Sequence, residues 1–233
     1  SPIRVDNTLS RGLLRWRSKQ AMSECACNRI AHMTPFIDYY LAPNSPWTYL
    51  GHDRLASIAQ RAGMAIRVKP IDLGGQVFPV SGGIPLGQRA PQRQAYRLVE
   101  LKRFGAKLNI PINIQPRYFP IPGNPAAALI VAAQLSHGDE QAMALTGAIM
   151  TAVWVHEQDI SNPDTLAAIV QACGLPPDTL ANAESAETVA AFQANTDDAI
   201  AAGVFGSPTY SVAGELFWGQ DRLELLEWHV MGQ

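Results

Sequence analysis

The tetrapeptide Ser45-Pro46-Trp47-Thr48 stands where a helix is expected to begin. Serine suits the N-cap of a helix, and proline suits the first helical position. A side chain there faces unpaired N–H groups and the positive end of the helix dipole, which stabilise a thiolate. The tetrapeptide has no cysteine, so disulfide exchange at it is excluded. The Ser45 hydroxyl could donate a hydrogen bond to a thiolate supplied by another molecule; a serine that only caps the helix is the alternative.

Other catalytic and metal-binding patterns are missing from the sequence. It has no His-Glu-x-x-His, Gly-x-Ser-x-Gly or phosphate-loop motif. His156-Glu157 has no second histidine at ligand spacing, and Cys25-Ala-Cys27 has no second ligand pair nearby. Gly74-Gly75 and Ser81-Gly82-Gly83 are interpreted as plain loops. The sequence therefore predicts no metal site.

Turn residues divide the chain into strands and helices from residue 34 onward. A strand is predicted over Phe36–Ala42, a helix from Pro46 to a stop at Gly63, and a strand over Ala65–Ile71. This order predicts two parallel strands with a right-handed crossover. Further helices are predicted over Pro91–Leu108, from an Asn124 cap to a stop at Gly138, and over Glu140–Val155, Pro163–Cys173 and Ser185–Ala202.

The end of the chain returns to strands. Thr209–Val212 and Glu215–Trp218 flank a hairpin turn at Ala213-Gly214, and a helix over Asp221–Met231 follows. Two strands alone would leave unpaired edges, so both ends of the chain are expected to form one sheet.

The order βαβ, helical block, ββα predicts an α/β fold. We expect a thioredoxin-like domain, residues 34–72 and 204–233, with a large inserted all-helical domain, residues 73–203. In that fold Ser207-Pro208 would form a cis-proline turn facing the N-terminus of the first helix. The residue before the proline would then offer its backbone to a bound peptide. An ordinary turn proline is the alternative.

Composition narrows the function classes. The chain has 233 residues, of which 47% are hydrophobic and 16% charged, and its formal net charge is −2. This suits one domain with a large insertion and gives no sign of a nucleic-acid or anionic-membrane partner. No apolar run approaches the roughly 18 residues that span a bilayer. Three cysteines cannot build a secreted disulfide framework, so we expect a cytoplasmic protein.

The first 33 residues differ from the rest in charge. They hold five Arg and one Lys against Asp6 and Glu24, a net charge of +4, which leaves −6 for the remainder. This composition is typical of a transit peptide. The alternative is an upstream extension before a start at Met33. In both cases we expect residues 1–33 to be disordered and outside the core.

Three motifs together resemble one enzyme family. "DYYLAPNSPWTYLG", "GVFGSPT" and "FWGQDRL" flank the predicted helical insertion in this order. Their order and spacing resemble those of the 2-hydroxychromene-2-carboxylate isomerases. That family is grouped with the kappa-class glutathione transferases in the DsbA-like branch of thioredoxin folds. The resemblance covers about residues 35–231.

The resemblance implies glutathione as the cofactor. Ser45, followed by Pro46 and Trp47, would hydrogen-bond the glutathione sulfur. Ser207, followed by Pro208, would pair through its backbone with the cysteinyl part.

The resemblance also assigns the turn Trp218-Gly219-Gln220-Asp221 to the γ-glutamyl end. Asp221 would take the ammonium group. Gln220 stands where relatives have Asn or Ser, and its amide can still donate and accept.

Substrate contacts are expected in the insertion. Arg89 lies near a basic or amide pair that contacts the substrate in the family, and arginine suits a carboxylate. Tyr96 and Arg97 lie close by, and Tyr118 falls near a family aromatic. The side-chain amide that relatives carry before a proline-bearing loop is missing from residues 81–85. Solvated or half-buried helix residues are the alternative for each position.

The implied function is glutathione-dependent isomerisation of 2-hydroxychromene-2-carboxylate to trans-o-hydroxybenzylidenepyruvate by reversible thiolate addition. This is a reaction of aromatic hydrocarbon degradation, expected here in a cytoplasmic homodimer that binds a small aromatic carboxylate. One alternative is a kappa-type glutathione transferase or peroxidase. The other is a non-catalytic thioredoxin-like binding module in which Ser45 is only a cap.

Overall fold

A four-stranded sheet of order β2-β1-β3-β4 lies at the centre of the structure, a computed structural model that describes residues 34–232. The predicted extension, residues 1–33, lies outside the described residues. The strands are β1 (Phe36–Leu41), β2 (Ala65–Pro70), β3 (Thr209–Val212) and β4 (Glu215–Trp218). β1 and β2 are parallel, whereas the β1–β3 and β3–β4 pairs are antiparallel. The two ends of the chain thus form one sheet, as predicted.

The long helices follow the predicted order, and two short helices, Phe78–Ser81 and Asp178–Asn182, are additional. In chain order the helices are α1 (Pro46–Ala62), α2 (Phe78–Ser81), α3 (Pro91–Leu108), α4 (Asn124–Trp154), α5 (Pro163–Ala172), α6 (Asp178–Asn182), α7 (Ala186–Ala201) and α8 (Leu223–Val230). Short π- and 3₁₀-helical turns lie at Leu73–Val77, Leu86–Gln88 and Gln220–Arg222. Of the helices within residues 34–232, none combines the length and apolar character needed to cross a membrane.

Helix α1 connects the two parallel strands and begins and ends at the predicted residues. Ser45 is its N-cap, and Gly63 closes it in the left-handed conformation at φ 63°. The Gly63 N–H bonds to the carbonyls of Ala59 and Gln60. A residue with a Cβ would be disfavoured at this φ, which explains the glycine.

Helix α4 is interrupted at Gly138, the predicted stop. Gly138 has φ 85° and ψ 175°, and the helix resumes directly after it. The break brings Asp139 to the edge of the sheet, where its Oδ1 accepts from the Val68 N–H at 2.8 Å. Gln134 donates to the same oxygen at 2.6 Å. An otherwise unpaired edge strand is thereby covered.

Two local predictions were wrong. Asn124 is the first residue of α4 and Gly123 is its N-cap, with no side-chain cap bond. A Cβ at position 123 would lie 2.9 Å from the Asn44 side chain, so this close approach requires glycine. Residues 73–81 form helical turns instead of plain loops, because the Asp72 carboxylate accepts from the Gly75 N–H at 3.0 Å and starts the first turn.

The helices inserted between β2 and β3 share their core with the sheet. Ile37 and Leu41 from β1 belong to the same buried cluster as Leu129, Ile130 and Trp154 from α4. The chain from Phe36 onward forms one compact unit. The boundaries predicted between a thioredoxin-like domain and a helical domain stay a prediction.

Candidate active site

Ser45 lies between the end of β1 and the first turn of α1. Its N–H donates to the Ala42 carbonyl at 3.0 Å, and its Oγ accepts from the Thr48 N–H at 3.3 Å. Because the oxygen acts only as an acceptor in this cap, the hydroxyl proton stays available for donation. The side chain is half-buried. Capping the helix and donating to a bound sulfur are therefore compatible roles.

A buried hydrogen-bond chain joins α1 to the Ser207-Pro208 turn. The Ala42 N–H donates to Ser207 Oγ at 2.8 Å, and Thr48 Oγ1 lies 3.0 Å from the same oxygen. The Ser207-Pro208 peptide bond is cis, as the cis-proline turn required. The Ser207 side chain thus holds this turn against the N-terminus of α1.

The backbone of Ser207 makes no hydrogen bond within the described part of the chain, although the residue is buried. Pairing of β3 with β1 begins at Thr209, and the Pro208 carbonyl accepts from the Gly219 N–H at 2.9 Å. Neither the N–H nor the carbonyl of Ser207 has a hydrogen-bond partner among residues 34–232. An extended peptide could therefore pair with this residue as an added strand.

Pro46 and Trp47 have packing roles in α1. Pro46 is buried at the first helical position. The Trp47 ring meets Phe104 of α3 edge-on, with ring centroids 6.1 Å apart. The contact ties the first helix of the sheet region to the inserted helices.

The turn after β4 presents one aromatic and one acidic side chain. Trp218 is 51% exposed and its ring centroid lies 4.7 Å from that of Phe205. A side chain on Gly206 would collide with the Trp218 indole, so this close approach requires glycine. Asp221 is exposed and pairs with Arg222 at 2.6 Å. Exposed ion pairs contribute only about 0–1 kcal/mol, so Asp221 can readily exchange this partner for a ligand's ammonium group.

Gln220 supports this turn from inside. Its side chain is 2% exposed, and Arg54 Nη1 donates to its Oε1 at 2.7 Å and to its carbonyl at 3.1 Å. Gly219 before it has φ 98°, which favours glycine. Gln220 therefore holds the turn against α1, and the contact with glutathione that the resemblance implied stays a prediction.

A cavity of about 290 Å³ lies beside Ser45 at the carboxyl ends of β1 and β2. Residues 42–44 and 71–74 form two sides of it, and residues 122–124 form a third. Asn44 joins two of these sides, because its Nδ2 donates to the Ile121 carbonyl at 2.7 Å. Ligands of open α/β sheets commonly bind at this end of the strands.

Arg89 and Arg97 both belong to the inserted segment, Arg89 before α3 and Arg97 inside it. Arg89 precedes α3, and its Nε donates to the Ile84 carbonyl at 2.7 Å. Burial lowers the pKa of Arg89, and the charge of Arg93 lowers it further. Burial also lowers the pKa of Arg97 to about 10, and the charge of Arg89 adds to that shift. The contact of these two arginines with one substrate stays a prediction.

Tyr96 and Tyr118 are both largely exposed, at 58% and 42%. Tyr96 lies on the exposed side of α3, where the hydrogen bond from Arg103 is the main cause that lowers the pKa of Glu100. Because neighbouring helix residues point about 100° apart, Tyr96 and Arg97 face different surroundings. Tyr118 carries the guanidinium of Arg117 over its ring at 5.2 Å.

Thr48, Asn44 and Phe119 contribute to the site but were not singled out from the sequence. Thr48 follows Ser45 by three residues, so capping geometry could have indicated it. The partners of Asn44 and Phe119 lie 22 or more residues away in the chain. No local pattern could have found those two. Among residues 34–232, no three His, Cys, Asp or Glu side chains gather in a way that could hold a metal ion.

The sequence matches a known protein family over most of its length. The family model of the DSBA-like thioredoxin domain matches residues 36–230. The chain belongs to the DsbA-like thioredoxin family. The predicted thioredoxin-like fold with inserted helices is thereby confirmed.

Two characterised relatives of similar sequence carry the same name. A 2-hydroxychromene-2-carboxylate isomerase of Sphingobium xenophagum is 28% identical over 200 residues, which span 85% of this chain and 100% of the relative. A second, from Pseudomonas putida, is 28% identical over 193 residues, spanning 82% of this chain and 92% of the relative.

Solved structures give the same picture of the DsbA-like fold. A 2-hydroxychromene-2-carboxylate isomerase structure superposes with a TM-score of 0.74 at 25% identity, covering 84% of this chain and 94% of its own. Cytosolic disulfide reductase DsbM from Pseudomonas aeruginosa, solved with GSH, gives a TM-score of 0.60 at 17% identity. That match covers 84% of this chain and 99% of the reductase chain, and it shows a shared fold.

Proposed function

We propose that this chain is a glutathione-dependent isomerase that converts 2-hydroxychromene-2-carboxylate to trans-o-hydroxybenzylidenepyruvate. The Ser45 site carries the proposal. The helix N-terminus that holds a reactive cysteine in redox relatives here presents a half-buried hydroxyl with a free proton. Positions 45 and 48 are Ser and Thr, so the reacting sulfur has to come from a bound molecule. The relatives named above support the reaction type.

The residues present fit glutathione as that molecule. Ser45 offers a donor for the sulfur, and Ser207 offers an unpaired backbone N–H and carbonyl for a peptide. Asp221 offers an exposed carboxylate for an ammonium group, next to the exposed ring of Trp218. These groups correspond to the chemical parts of a tripeptide with a free thiol.

When bound, with Ser45 at its sulfur, Ser207 at its peptide backbone and Asp221 at its ammonium group, glutathione would supply a thiolate nucleophile for reversible addition to the ring-opened, conjugated form of the substrate. The chain's contribution is to keep the sulfur ionised. The Ser45 hydroxyl and the positive end of the α1 dipole both favour the anion, so the thiol pKa should fall below its solution value. Each turn of this cycle returns the thiol unchanged, which is covalent catalysis without a strong protein base.

Substrate contacts complete the proposal. Arg89, Arg97 and Tyr118 would border the carboxylate and the ring, whereas the outward position of Tyr96 gives it at most a peripheral part. A homodimer and a cytoplasmic location are further proposals, drawn from the family resemblance.

The test follows 2-hydroxychromene-2-carboxylate by ultraviolet absorbance with glutathione at a small fraction of the substrate concentration. The isomerase proposal expects conversion far beyond one equivalent of glutathione, with free glutathione recovered at the end. Turnover that stops after one equivalent, with a glutathione-bound product in the mass spectrum, would indicate a kappa-type transferase. Glutathione binding without turnover would favour the binding module.

A second measurement addresses the sulfur directly. The thiolate absorbance of bound glutathione is titrated against pH and compared with free glutathione. We expect the bound thiol to ionise at lower pH. An unchanged pKa would contradict the role given to Ser45 and the helix dipole.

A further inference from the structure

Four residues around Ser45 form a closed ring of hydrogen bonds. The Ser45 N–H donates to the Ala42 carbonyl at 3.0 Å, and the Ala42 N–H donates to Ser207 Oγ at 2.8 Å. Thr48 closes the ring, because its hydroxyl lies 3.0 Å from Ser207 Oγ and its N–H donates to Ser45 Oγ at 3.3 Å. Ala42 and Thr48 therefore each bridge Ser45 and Ser207, two residues that lie far apart in the chain.

The ring is largely buried and depends on two side-chain hydroxyls besides that of Ser45. Ala42, Thr48 and Ser207 are buried, whereas Ser45 is half-buried. Ser207 Oγ takes part in two of the four bonds, and Thr48 Oγ1 takes part in one. Alanine at position 207 would leave the Ala42 N–H buried without an acceptor, and valine at position 48 would open the ring on its other side. Either change would loosen the link between Ser45 and Ser207.

The Ser207-Pro208 turn is also fixed on the side away from α1. Thr209 Oγ1 donates to the Gly206 carbonyl at 2.8 Å, and the Pro208 carbonyl accepts from the Gly219 N–H at 2.9 Å. Between these two bonded carbonyls, the N–H and the carbonyl of Ser207 have no partner among residues 34–232. Because unpaired buried backbone groups are costly, this arrangement favours a ligand that pairs with Ser207.

The ring holds two groups that a thiol ligand would contact at one separation. The Ser207 backbone would pair with the peptide of the bound thiol, and the Ser45 hydroxyl would donate to its sulfur. Peptide pairing fixes the Cα atom of the thiol residue, and the ring fixes the donor that the sulfur has to reach. Since each added carbon moves the sulfur by about 1.5 Å, only one side-chain length satisfies both contacts.

We propose that the hydroxyls of Ser207 and Thr48 are positioning groups that select a cysteinyl thiol by the length of its side chain. The proposal rests on the proposed function for glutathione as the bound thiol. It adds a role for two side chains that would act through Ser45 and the Ser207 backbone and touch no reacting atom. A thiol with one more methylene would lose either the peptide contact or the sulfur contact.

The experiment compares glutathione with γ-glutamyl-homocysteinyl-glycine, an analogue that carries one more methylene before the sulfur. Calorimetry gives the dissociation constant of each thiol, and thiolate absorbance against pH gives the pKa of each bound thiol. The wild-type protein should prefer glutathione by roughly 10- to 200-fold, the usual value of one methylene in a fitted site. The bound analogue should also ionise at higher pH than bound glutathione, because its sulfur is misplaced relative to Ser45.

Four variants test the ring itself. Ser207→Ala and Thr48→Val each remove a hydroxyl and should lose most of the preference for glutathione. In both, the pKa of bound glutathione should move back toward its solution value. Ser207→Thr and Thr48→Ser keep a hydroxyl at each position and should retain the preference. A purely structural role would change the melting temperature but neither the preference nor the pKa of the bound thiol.

The matched control is Thr146→Val on α4. Thr146 is buried like Thr48, and its hydroxyl donates to the Ala142 carbonyl at 2.7 Å, outside the ring. This variant removes one buried hydroxyl bond and should keep the wild-type preference even where its melting temperature falls. Thermal melting shows which variants are folded, and the use of two ring positions protects the test against one misfolded protein.

The outcomes separate this proposal from the proposed function. Equal affinity of the wild type for the two thiols, or an unchanged preference in folded Ser207→Ala and Thr48→Val, would overturn the positioning role even if the chromene is still isomerised. A ring-dependent preference without isomerisation would support the positioning role and reject the isomerase. An equal loss of preference in Thr146→Val would reduce the effect to lost stability and overturn the proposal. Absence of glutathione binding to the wild type would overturn it together with the cofactor.

Discussion

The Ser45 side and the Arg97 side of the candidate site are built in different ways. Around Ser45, the hydroxyls of Thr48 and Ser207 are buried and bonded, and short contacts join sequence segments more than 150 residues apart. Around Arg97, a buried donor has no partner and the aromatic side chain of Tyr118 is 42% exposed. The bonds around Ser45 hold its open groups, the Ser45 hydroxyl and the Ser207 backbone, in one geometry, whereas the open donor of Arg97 has no protein partner among the described residues that fixes it. This difference fits cofactor binding on the Ser45 side and substrate recognition on the Arg97 side.

The largest expected effect is on the Ser45 side. Ser45→Ala should lower kcat/KM by about 10- to 100-fold, because a hydrogen bond to a charged group is lost. The measurement is steady-state isomerisation at saturating glutathione.

Ser185→Ala is the matched control for this variant. Ser185 caps α7 in the same way, accepting from the Thr188 N–H at 3.2 Å. Both variants should lose roughly 0.5–2 kcal/mol of stability, the value of a helix cap. Only Ser45→Ala should lose activity; equal activity in the two would reduce Ser45 to a cap.

The next largest effect concerns the joint between the sheet and the inserted helices. Asp139→Ala removes the acceptor for the Val68 N–H and for Gln134, so the free energy of unfolding should fall by about 1–3 kcal/mol. Urea denaturation measures this change. Glu140→Ala, an exposed neighbour, is the control and should stay within about 0.5 kcal/mol of the parent protein.

The turn after β4 allows a comparison between adjacent residues. Asp221→Asn should weaken glutathione binding by about tenfold with little change in melting temperature, because its present partner is an exposed arginine. Gln220→Ala should instead lower the melting temperature and change glutathione affinity little, because the buried bond from Arg54 to the Gln220 Oε1 is lost. Calorimetry and thermal melting together decide between the two assignments. A stable Gln220→Ala protein with normal Tm would contradict the supporting role.

The smallest effect should be a pH dependence from His52. This buried residue links α1 to the inserted helices, with Nε2 3.1 Å from the Met143 carbonyl and Nδ1 3.3 Å from the Tyr39 hydroxyl. Burial, the main cause, lowers the pKa of His52 below its ordinary value. Below about pH 6.5 the unfolded chain therefore binds more protons than the folded one, so stability falls as the pH drops.

His52→Gln should flatten the dependence of Tm on pH between about pH 7 and pH 5. His137→Gln, at an exposed histidine, is the control and should keep the wild-type slope. Parallel slopes in the wild type and His52→Gln would show that other groups govern acid stability.

Much of the fold could be predicted from the sequence because its signals are local. The Ser45-Pro46 opening, the Gly63 stop and the Ala213-Gly214 turn each specify backbone conformation within a few residues. Alternation and helical spacing then assigned the strands and the long helices. The helix start at Asn124 was missed by one residue, since Gly123, which packs closely against the distant Asn44, is the N-cap.

The sequence by itself determined which elements form, in what order, and that no sulfur stands at the start of α1. Only the tertiary structure decided which side chains of those elements meet. The Gln220 side chain packs inward against Arg54, and the Ser207 hydroxyl accepts from the Ala42 N–H. Tyr96 and Arg97, neighbours in sequence, lie on different faces of α3. The physical reason is distance along the chain. Caps and turns depend on a few neighbouring residues and can be predicted from the sequence. Burial and hydrogen-bond partners depend on distant residues that folding brings together.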